Sequence, residues 1–432
     1  MRTRLACWAA GDALFQRTAQ ALSGRPESVW LVGGTVRDVM LGRAVCDIDL
    51  AVGGGDAVSL GRRLADDLSA HFFVLDHQRR IARVLLGDTG EHIDLANLRA
   101  DTITGDLCAR DFTINAMAAP LQRPDALIDP CDGLADLTSR LLRAASTRSL
   151  ADDPLRILRM ARLAAQLGFE ATPETLALAA AALDGLAHVA HERIRDELFL
   201  MLVLPQAHLA TARLHSWGIA DALVARGTVW SDAHLAAFET WQARHPQWPM
   251  LAAWQDEIEQ GWNAPVAGGR TRGQLVKLAL WLMGLSASAA EHLLSSLALS
   301  TSEVRHVRGI LGAHGQLAAG TTPAKVLSRY RYYRAWRAAG ADAALLALTA
   351  QEDPAARQAL TQLLDSWYAD GGRAVNPPPI LTGRDLLALG VPAGPQVGEL
   401  LEALRQAQVA GEVNARAEAE AFVLRARKES SG

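Results

Sequence analysis

Nine residues after the segment LVGGTVRD at 31–38 comes the acidic pair of CDIDLAV at 46–52. CDIDLAV reads as a strand, and strand side chains alternate between faces. Asp47, Asp49 and Ala51 therefore share one face, while Ile48, Leu50 and Val52 point to a core. Two carboxylates side by side repel each other unless a cation lies between them. That arrangement suits Mg²⁺ in phosphoryl transfer, with hard oxygen ligands and open positions for triphosphate oxygens. Gly33 and Gly34 let backbone approach a phosphate, and the helix that opens at Thr35 offers N–H donors and a positive dipole end. Arg37, on its first turn, adds a charge-assisted contact. The plainer reading is an exposed edge strand with solvated acids beside an ordinary turn. A dinucleotide-binding turn would need G-x-G-x-x-G spacing, which is absent. The glycine turn, the arginine and the DxD in one strand–turn–helix–strand unit favour the metal reading.

These residues, VGGTVRDVMLG and DIDLAV, resemble the catalytic signature of the DNA polymerase β-like nucleotidyltransferases. More narrowly, they resemble the class II tRNA nucleotidyltransferase and bacterial poly(A) polymerase family. Further blocks match that family in order and spacing: ARDFTINAMA at 109–118, DPCDGLADL at 129–137, DDPLRILRMARLAAQLGF at 152–169 and ERIRDEL at 192–198. The resemblance is dense over the first 200 or so residues and returns in PPILTGRDLLALGVPAGPQVGELLEAL near the end. Residues 205–375 show only helical character, without the His-Asp dipeptide of the phosphohydrolase module found in some members.

The matched blocks also have a chemistry of their own. Arg110 can hold phosphate, and the acceptor-only carboxylate of Asp111 suits a 2′-hydroxyl, which would favour ribonucleotides. The family pattern has two arginines here, and Ala109 replaces the first. A structural Arg–Asp pair tying down a loop is the alternative. Asp152-Asp153-Pro154-Leu155-Arg156 resembles the family's EDxxR element, with Asp152 in place of the glutamate. Asp153 and Arg156 lie one turn apart at a helix start. The acid accepts from the amino group shared by cytosine and adenine, and the arginine donates to ring acceptors. Uracil and guanine would leave these groups unpaired. Without the family context, such spacing usually means an N-terminal acid with an i,i+3 ion pair. Arg140, Arg143, Arg148, Arg156, Arg159 and Arg162 meet only Asp152 and Asp153 within 140–162, a local basic surface suited to triphosphate and primer backbone. For Arg140 and Arg143 a solvated helix face serves as well.

The elements that position these groups are legible too. Val29–Val32, Cys46–Val52, Phe72–Leu75, Ile81–Leu86 and His92–Asn97 read as strands, alternating with helices at Thr35–Leu41 and Ala57–Ser69. From Asp152 onward the pattern is helical: Pro154–Leu167, Pro173–Leu186, Glu192–Leu204 and more beyond. Gly371-Gly372 and Pro377-Pro378-Pro379 read as a linker before a helical tail at Thr382–Arg427. Asp94 shares its strand face with His92 and Ala96 and is a candidate third acid, or else a partner of Arg99 or a histidine. KVLSRYRYYRAWR at 325–337 interleaves basic and aromatic residues, as RNA contact requires. An amphipathic helix with its rings in a core is the commoner cause.

At 432 residues and a formal charge of −4, the chain can bury a large core but does not announce a polyanion partner by total charge. Cys7, Cys46, Cys108 and Cys131 lie far apart with no CxxC pair, against a zinc site or disulfide framework and in keeping with a reducing cytoplasm. No apolar run is long enough to span a membrane. The expected architecture is an α/β nucleotidyltransferase head with a mixed sheet at 1–145, a helical neck with the nucleotide-selecting element at 146–215, a helical body at 216–370, and a linker with an RNA-binding helical tail at 371–432. What the resemblance implies is template-independent addition of C, A or both to a tRNA or other RNA 3′ end, foremost synthesis or repair of the tRNA 3′-CCA terminus, from CTP and ATP with Mg²⁺ at Asp47 and Asp49 and release of pyrophosphate. Gly33, Gly34, Arg37, Arg110, Asp111, Asp153, Arg156, Arg159 and Arg162 would bind the nucleotide. No protein partner is inferred. Poly(A) addition, CC-only or A-only addition, and an RNA-binding protein without catalysis are the other readings.

Overall fold

β-Branched and aliphatic runs build six strands: β1 (Ser28–Val32), β2 (Asp47–Gly53), β3 (His71–Asp76), β4 (Ile81–Leu85), β5 (His92–Asn97) and β6 (Ala118–Pro120). The computed structural model describes residues 2–45, 47–87, 90–224, 232–244, 252–266 and 269–429. Cys46, expected to open the second strand, lies outside them. The strands form one sheet in the order β3-β4-β5-β2-β1-β6. β2 and β5 run parallel, and the other neighbours are antiparallel. The register sets Asp47 beside His92 and Asp49 beside Asp94.

Alternation fixes which face is which. Ile48, Leu50 and Val52 are at most 2 % exposed. The helix Ala57–Leu68, capped by the Asp56 carboxylate, packs over β3, β4 and β5. Gly61 permits that close approach, since a Cβ there would stand 3.3 Å from both Ala82 and the Phe72 ring. On the opposite face Ala51 is covered by a small cluster of Val32, Leu107, Ala116 and Ala118. Asp47 and Asp49 extend from the same face beyond that cover, toward the strand's open end.

Among the described residues beyond Ser149 the regular elements are helices apart from the short strand Glu170–Ala171, which pairs with Leu141–Leu142. The helix expected at Pro173–Leu186 ends as an α-helix at Ala182 and continues as a 3₁₀ turn, Leu183–His188. Gly185 lets this turn pack on Pro154, since a Cβ there would lie 2.6 Å from the Pro154 ring. The chain divides into two compact units, Met1–Glu197 with Arg213–Leu223, and Leu198–Ala212 with Val224–Gly432. In the second unit the buried Asp342 carboxylate receives Arg272 twice, at 2.8 and 2.7 Å, Trp262 at 3.0 Å and His306 at 3.0 Å. One carboxylate thus joins several helices. The basic–aromatic stretch is the helix Val326–Trp336. Tyr330, Tyr332 and Tyr333 are buried, so its tyrosine rings are core, while Trp336 is half-buried and Arg331 and Arg334 bind Gln406 and Glu402 of the helix Pro395–Val409. The Gly371-Gly372 linker contains a 3₁₀ turn, and Arg405 and Gln408 hold the carbonyls of Pro377 and Pro378. It is a fastened strap.

A short helix, Gly133–Ser139, presses on the turn Thr113–Asn115 that follows Arg110 and Asp111. A Cβ at Gly133 would overlap the Thr113 carbonyl group, which is backbone and cannot swing aside. Gly133→Ala should therefore destabilise the fold by roughly 1–3 kcal/mol, the usual cost of overpacking. The denaturation midpoint measures this, and a wild-type midpoint would contradict the packing.

Candidate active site

β1 passes directly into the helix Gly33–Leu41, and Gly33 takes the left-handed φ of +66° that this sharp entry needs. A Cβ on Gly33 would lie 3.0 Å from Arg110 Nη1, and one on Gly34 would lie 3.3 Å from Asp49 Oδ2. The glycines keep open a space bounded by an acid and an arginine. Thr35 pins the turn to β2: its hydroxyl donates to the Asp47 carbonyl at 3.1 Å and accepts from the Asp49 N–H at 2.8 Å.

Burial pushes the Asp49 carboxyl up to about 6, the Asp94 and Asp47 charges add to that, and Arg110 and Arg37 oppose it. A carboxylate pair that is costly to ionise together, with half-exposed Asp47 at its mouth, is the donor set a hard divalent cation fits. His92 Nδ1 lies 2.8 Å from Asp47 Oδ1. Asp94 belongs to the cluster, but its partner is Arg83, which grips both of its oxygens at 2.8 Å. Arg83 stands opposite Asp94 in the β4–β5 register, a cross-strand pair that strand alignment would have revealed. Among the described residues, no three of His, Cys, Asp and Glu form a closed metal cage.

Arg110 is aimed at the glycine turn by buried Asp106, which takes its Nε and Nη2 at 3.0 and 2.9 Å. Asp111 is 6 % exposed. One of its oxygens accepts from the Phe112 N–H and Asn115 at 2.8 and 3.0 Å, and the other from Arg159 at 3.2 Å. Burial alone would raise its pKa, but the Arg159 charge and these hydrogen bonds hold it down at about 2. Arg37, expected to reach a phosphate, is 7 % exposed and donates to Asn115 at 2.7 Å and to Asp38. It is a strut beneath the site.

The selecting element departs furthest from expectation. Asp153 is extended, between the short helix Ser149–Asp152 and the helix Leu155–Leu167. Its carboxylate binds Arg193 at 2.8 Å, with no hydrogen bond to Arg156. Arg156 instead donates to the carbonyls of Arg110, Ser149 and Ala109 at 3.0, 3.1 and 3.0 Å. The basic surface is largely neutralised. Arg143 pairs with Asp136, Arg148 with Asp152, Arg159 with Asp111, and Arg162 with buried Glu197 at 2.5 Å. Apart from Asp152, the acids come from other elements, which the count within 140–162 left out. Arg193 and Glu197 both belong to ERIRDEL and stand one helical turn apart, so that spacing carried their signal.

Three family models match. Residues 29–143 fit the poly A polymerase head domain, 168–225 a probable RNA- and SrmB-binding site of polymerase A, and 270–422 the putative tRNA nucleotidyltransferase domain 2. The chain is 35 % identical to a CC-adding tRNA nucleotidyltransferase of Geobacter sulfurreducens over 404 residues, covering 92 % of this chain and 91 % of that protein. It is 32 % identical to an A-adding tRNA nucleotidyltransferase of Deinococcus radiodurans, covering 94 % and 97 %. Its fold resembles that of a CCA-adding enzyme solved with CTP, with a TM-score of 0.68 and 22 % identity over 98 % of each chain.

The Asp111–Arg159 contact gives a pH test. A folded pKa of about 2, below the ordinary 3.8, means that this carboxylate stabilises the fold at neutral pH. The contribution is complete above about pH 4 and is lost as pH falls through about 2. Asp111→Asn should cost about 2 kcal/mol at pH 7, and the gap to wild type should shrink on acidification toward pH 2. Unfolding titrations at pH 7, 4 and 2 measure it. A gap that does not change with pH would mean that Asp111 stabilises only by shape.

Proposed function

The chain belongs to the tRNA nucleotidyltransferase and poly(A) polymerase family, and we propose that it adds C, A or both to RNA 3′ ends. The substrate we assign is tRNA whose CCA terminus is being made or repaired, with CTP and ATP consumed and pyrophosphate released. The observation that carries this reading is the Asp47–Asp49 pair beneath the Gly33-Gly34 turn, with Asp49 pushed up by burial and by neighbouring acids. We assign Mg²⁺ to those two carboxylates. Bound there, it would offset the charge on the attacking 3′-oxygen and on the leaving pyrophosphate.

The remaining roles fall to the chain's own groups. The glycine turn and Arg110 receive the triphosphate, with Asp106 holding Arg110 in aim. Asp111, ionised and braced by Arg159, is the acceptor for the ribose 2′-hydroxyl. Asp153 and Arg156 read the base, after exchanging Arg193 and the loop carbonyls for the amino-bearing edge of C or A. Arg162 supports this helix through Glu197. On this reading the head spans about 1–145, the neck 146–215, the body 216–370, and the linker and RNA-binding tail 371–432. The cytoplasm is the compartment we assign, in keeping with the free thiols of Cys7, Cys108 and Cys131. No described helix is long and apolar enough to cross a membrane. Similarity to both CC-adding and A-adding relatives favours tRNA ends over poly(A).

Transcripts ending at the discriminator base, at C and at CC, each offered single nucleotides with Mg²⁺, separate the products by length. Extension of none of them would overturn the reading.

Asp47→Ala and Asp49→Asn should each lower addition by several orders of magnitude while RNA binding stays near wild type. Asp49→Asn should also leave stability equal or higher. Its raised pKa means that ionisation costs folding energy as pH climbs from about 4 through about 6, and the amide removes that cost. Turnover near wild type in either variant would refute the metal assignment.

Arg156→Ala and Asp153→Ala should reduce use of CTP and ATP and raise the relative use of UTP or GTP, because unpaired groups no longer reject them. Competition among the four nucleotides measures the ratio. If it stays constant in both variants, the pair is only structural.

A further inference from the structure

We propose that Cys108 and Cys131 form a modification site, a dithiol that closes to an intramolecular disulfide by exchange with a small-molecule disulfide. Their Sγ atoms stand 3.4 Å apart, although 23 residues separate them in sequence, and neither is bonded in a disulfide. A bond of roughly 2 Å needs only a short approach from there. Both side chains are half-buried, so a small reagent has access.

The two thiols stand on unlike supports. Cys131 belongs to a braced turn. The Asp129 carboxylate accepts from the N–H groups of Gly133 and Leu134 at 2.7 and 2.9 Å, and Thr113 donates to Asp136 at 2.8 Å. Cys108 closes the helix Ile103–Cys108 and immediately precedes Ala109, Arg110 and Asp111. Oxidation therefore ties the root of the segment that carries Arg110 and Asp111 to a fixed platform. Because Arg156 holds the carbonyls of Ala109 and Arg110, the restraint extends to the selecting element.

The order of events follows from the surroundings. Burial, the adjoining thiol, and the charges of Asp129 and Asp132 push the Cys131 thiol up, which disfavours it as the first attacker. The Cys108 thiolate attacks one sulfur of the reagent disulfide. A mixed disulfide forms and one reagent thiolate leaves, taking up a proton. Cys131 then gives up its proton, and its sulfur attacks Cys108 Sγ and expels the second reagent thiolate, which is protonated in turn. Two protein thiols are oxidised, and one reagent disulfide is reduced to two thiols.

The test treats the reduced full chain with oxidised glutathione and digests it without reductant. Mass analysis should find the peptides of Cys108 and Cys131 joined, with two hydrogens lost. Cys108→Ser and Cys131→Ser should each abolish the link, and Cys7→Ser should not. Single-nucleotide addition should fall several-fold on oxidation, recover with dithiothreitol, and be insensitive to oxidant in Cys108→Ser. Free or glutathione-capped thiols at 108 and 131, or a bridge to Cys7 or Cys46 instead, would overturn the site. A complete 108–131 bond with an unchanged addition rate would overturn the restraint. The mass readout does not depend on the nucleotide-transfer reading, so the two can fail separately.

Discussion

Repulsion among Asp47, Asp49 and Asp94 is the constraint around which the site is arranged. The β2–β5 ladder sets Asp49 directly beside Asp94, and alternation sets Asp47 on the same face. Left alone, such a cluster would protonate or spread apart, and Asp49 is already pushed up to about 6. The fold restrains it from several sides. Arg83 neutralises Asp94, His92 stands at Asp47, and Arg37 and Arg110 face Asp49. Arg37 and Arg110 are themselves committed to Asp38, Asn115 and Asp106, so they moderate the field without filling the space over the two strand acids. On the proposed reading, the residual attraction for a cation is what would suit the cluster to phosphoryl transfer.

The same economy of shared groups runs outward from the acids. Asn115 joins Arg37 to Asp111, and Asp111 joins that pair to Arg159. Arg159 and Arg162 both lie against Glu197, and Arg156 holds the loop on which Arg110 sits. The phosphate, sugar and base contacts proposed above would thus stand on one connected set of hydrogen bonds and ion pairs. In such a set, removing one member leaves a desolvated charge behind, so substitutions should couple rather than add.

What the sequence disclosed was whatever depends on neighbours along the chain. The alternation of CDIDLAV, the glycine turn and the helix starts are local patterns, and the strands at 81–85 and 92–97 lie where their side-chain periodicity puts them. Long-range pairing was hidden. Nothing within 140–162 discloses that Asp136, Asp111 and Glu197 will meet its arginines, so a neutralised helix reads as a basic surface. Arg83 was hidden in the same way until the register of β4 and β5 was known. The tyrosines at 330, 332 and 333 fit either an RNA platform or a core by type, and only their burial chose the core.

That dependence on distant partners bears on how one pair of side chains could serve two bases. Asp153 and Arg156 have the right chemistry for the amino-bearing edges of both C and A, so their identities alone do not rank the two. Each is held by something else at rest: Asp153 by Arg193 from the helix His191–Leu202, and Arg156 by the backbone that also carries Arg110. If this pair reads the base as proposed, moving between a pyrimidine and a larger purine would mean shifting these holders as much as the pair itself. Asp152, shorter than the family's glutamate, pairs with exposed Arg148 rather than with Arg156, so it leaves Arg156 to the loop carbonyls. The preference for C, for A or for both would then be set by how far the 109–111 loop and Arg193 can yield. Chains with the same reading pair could differ in product through the residues that hold it.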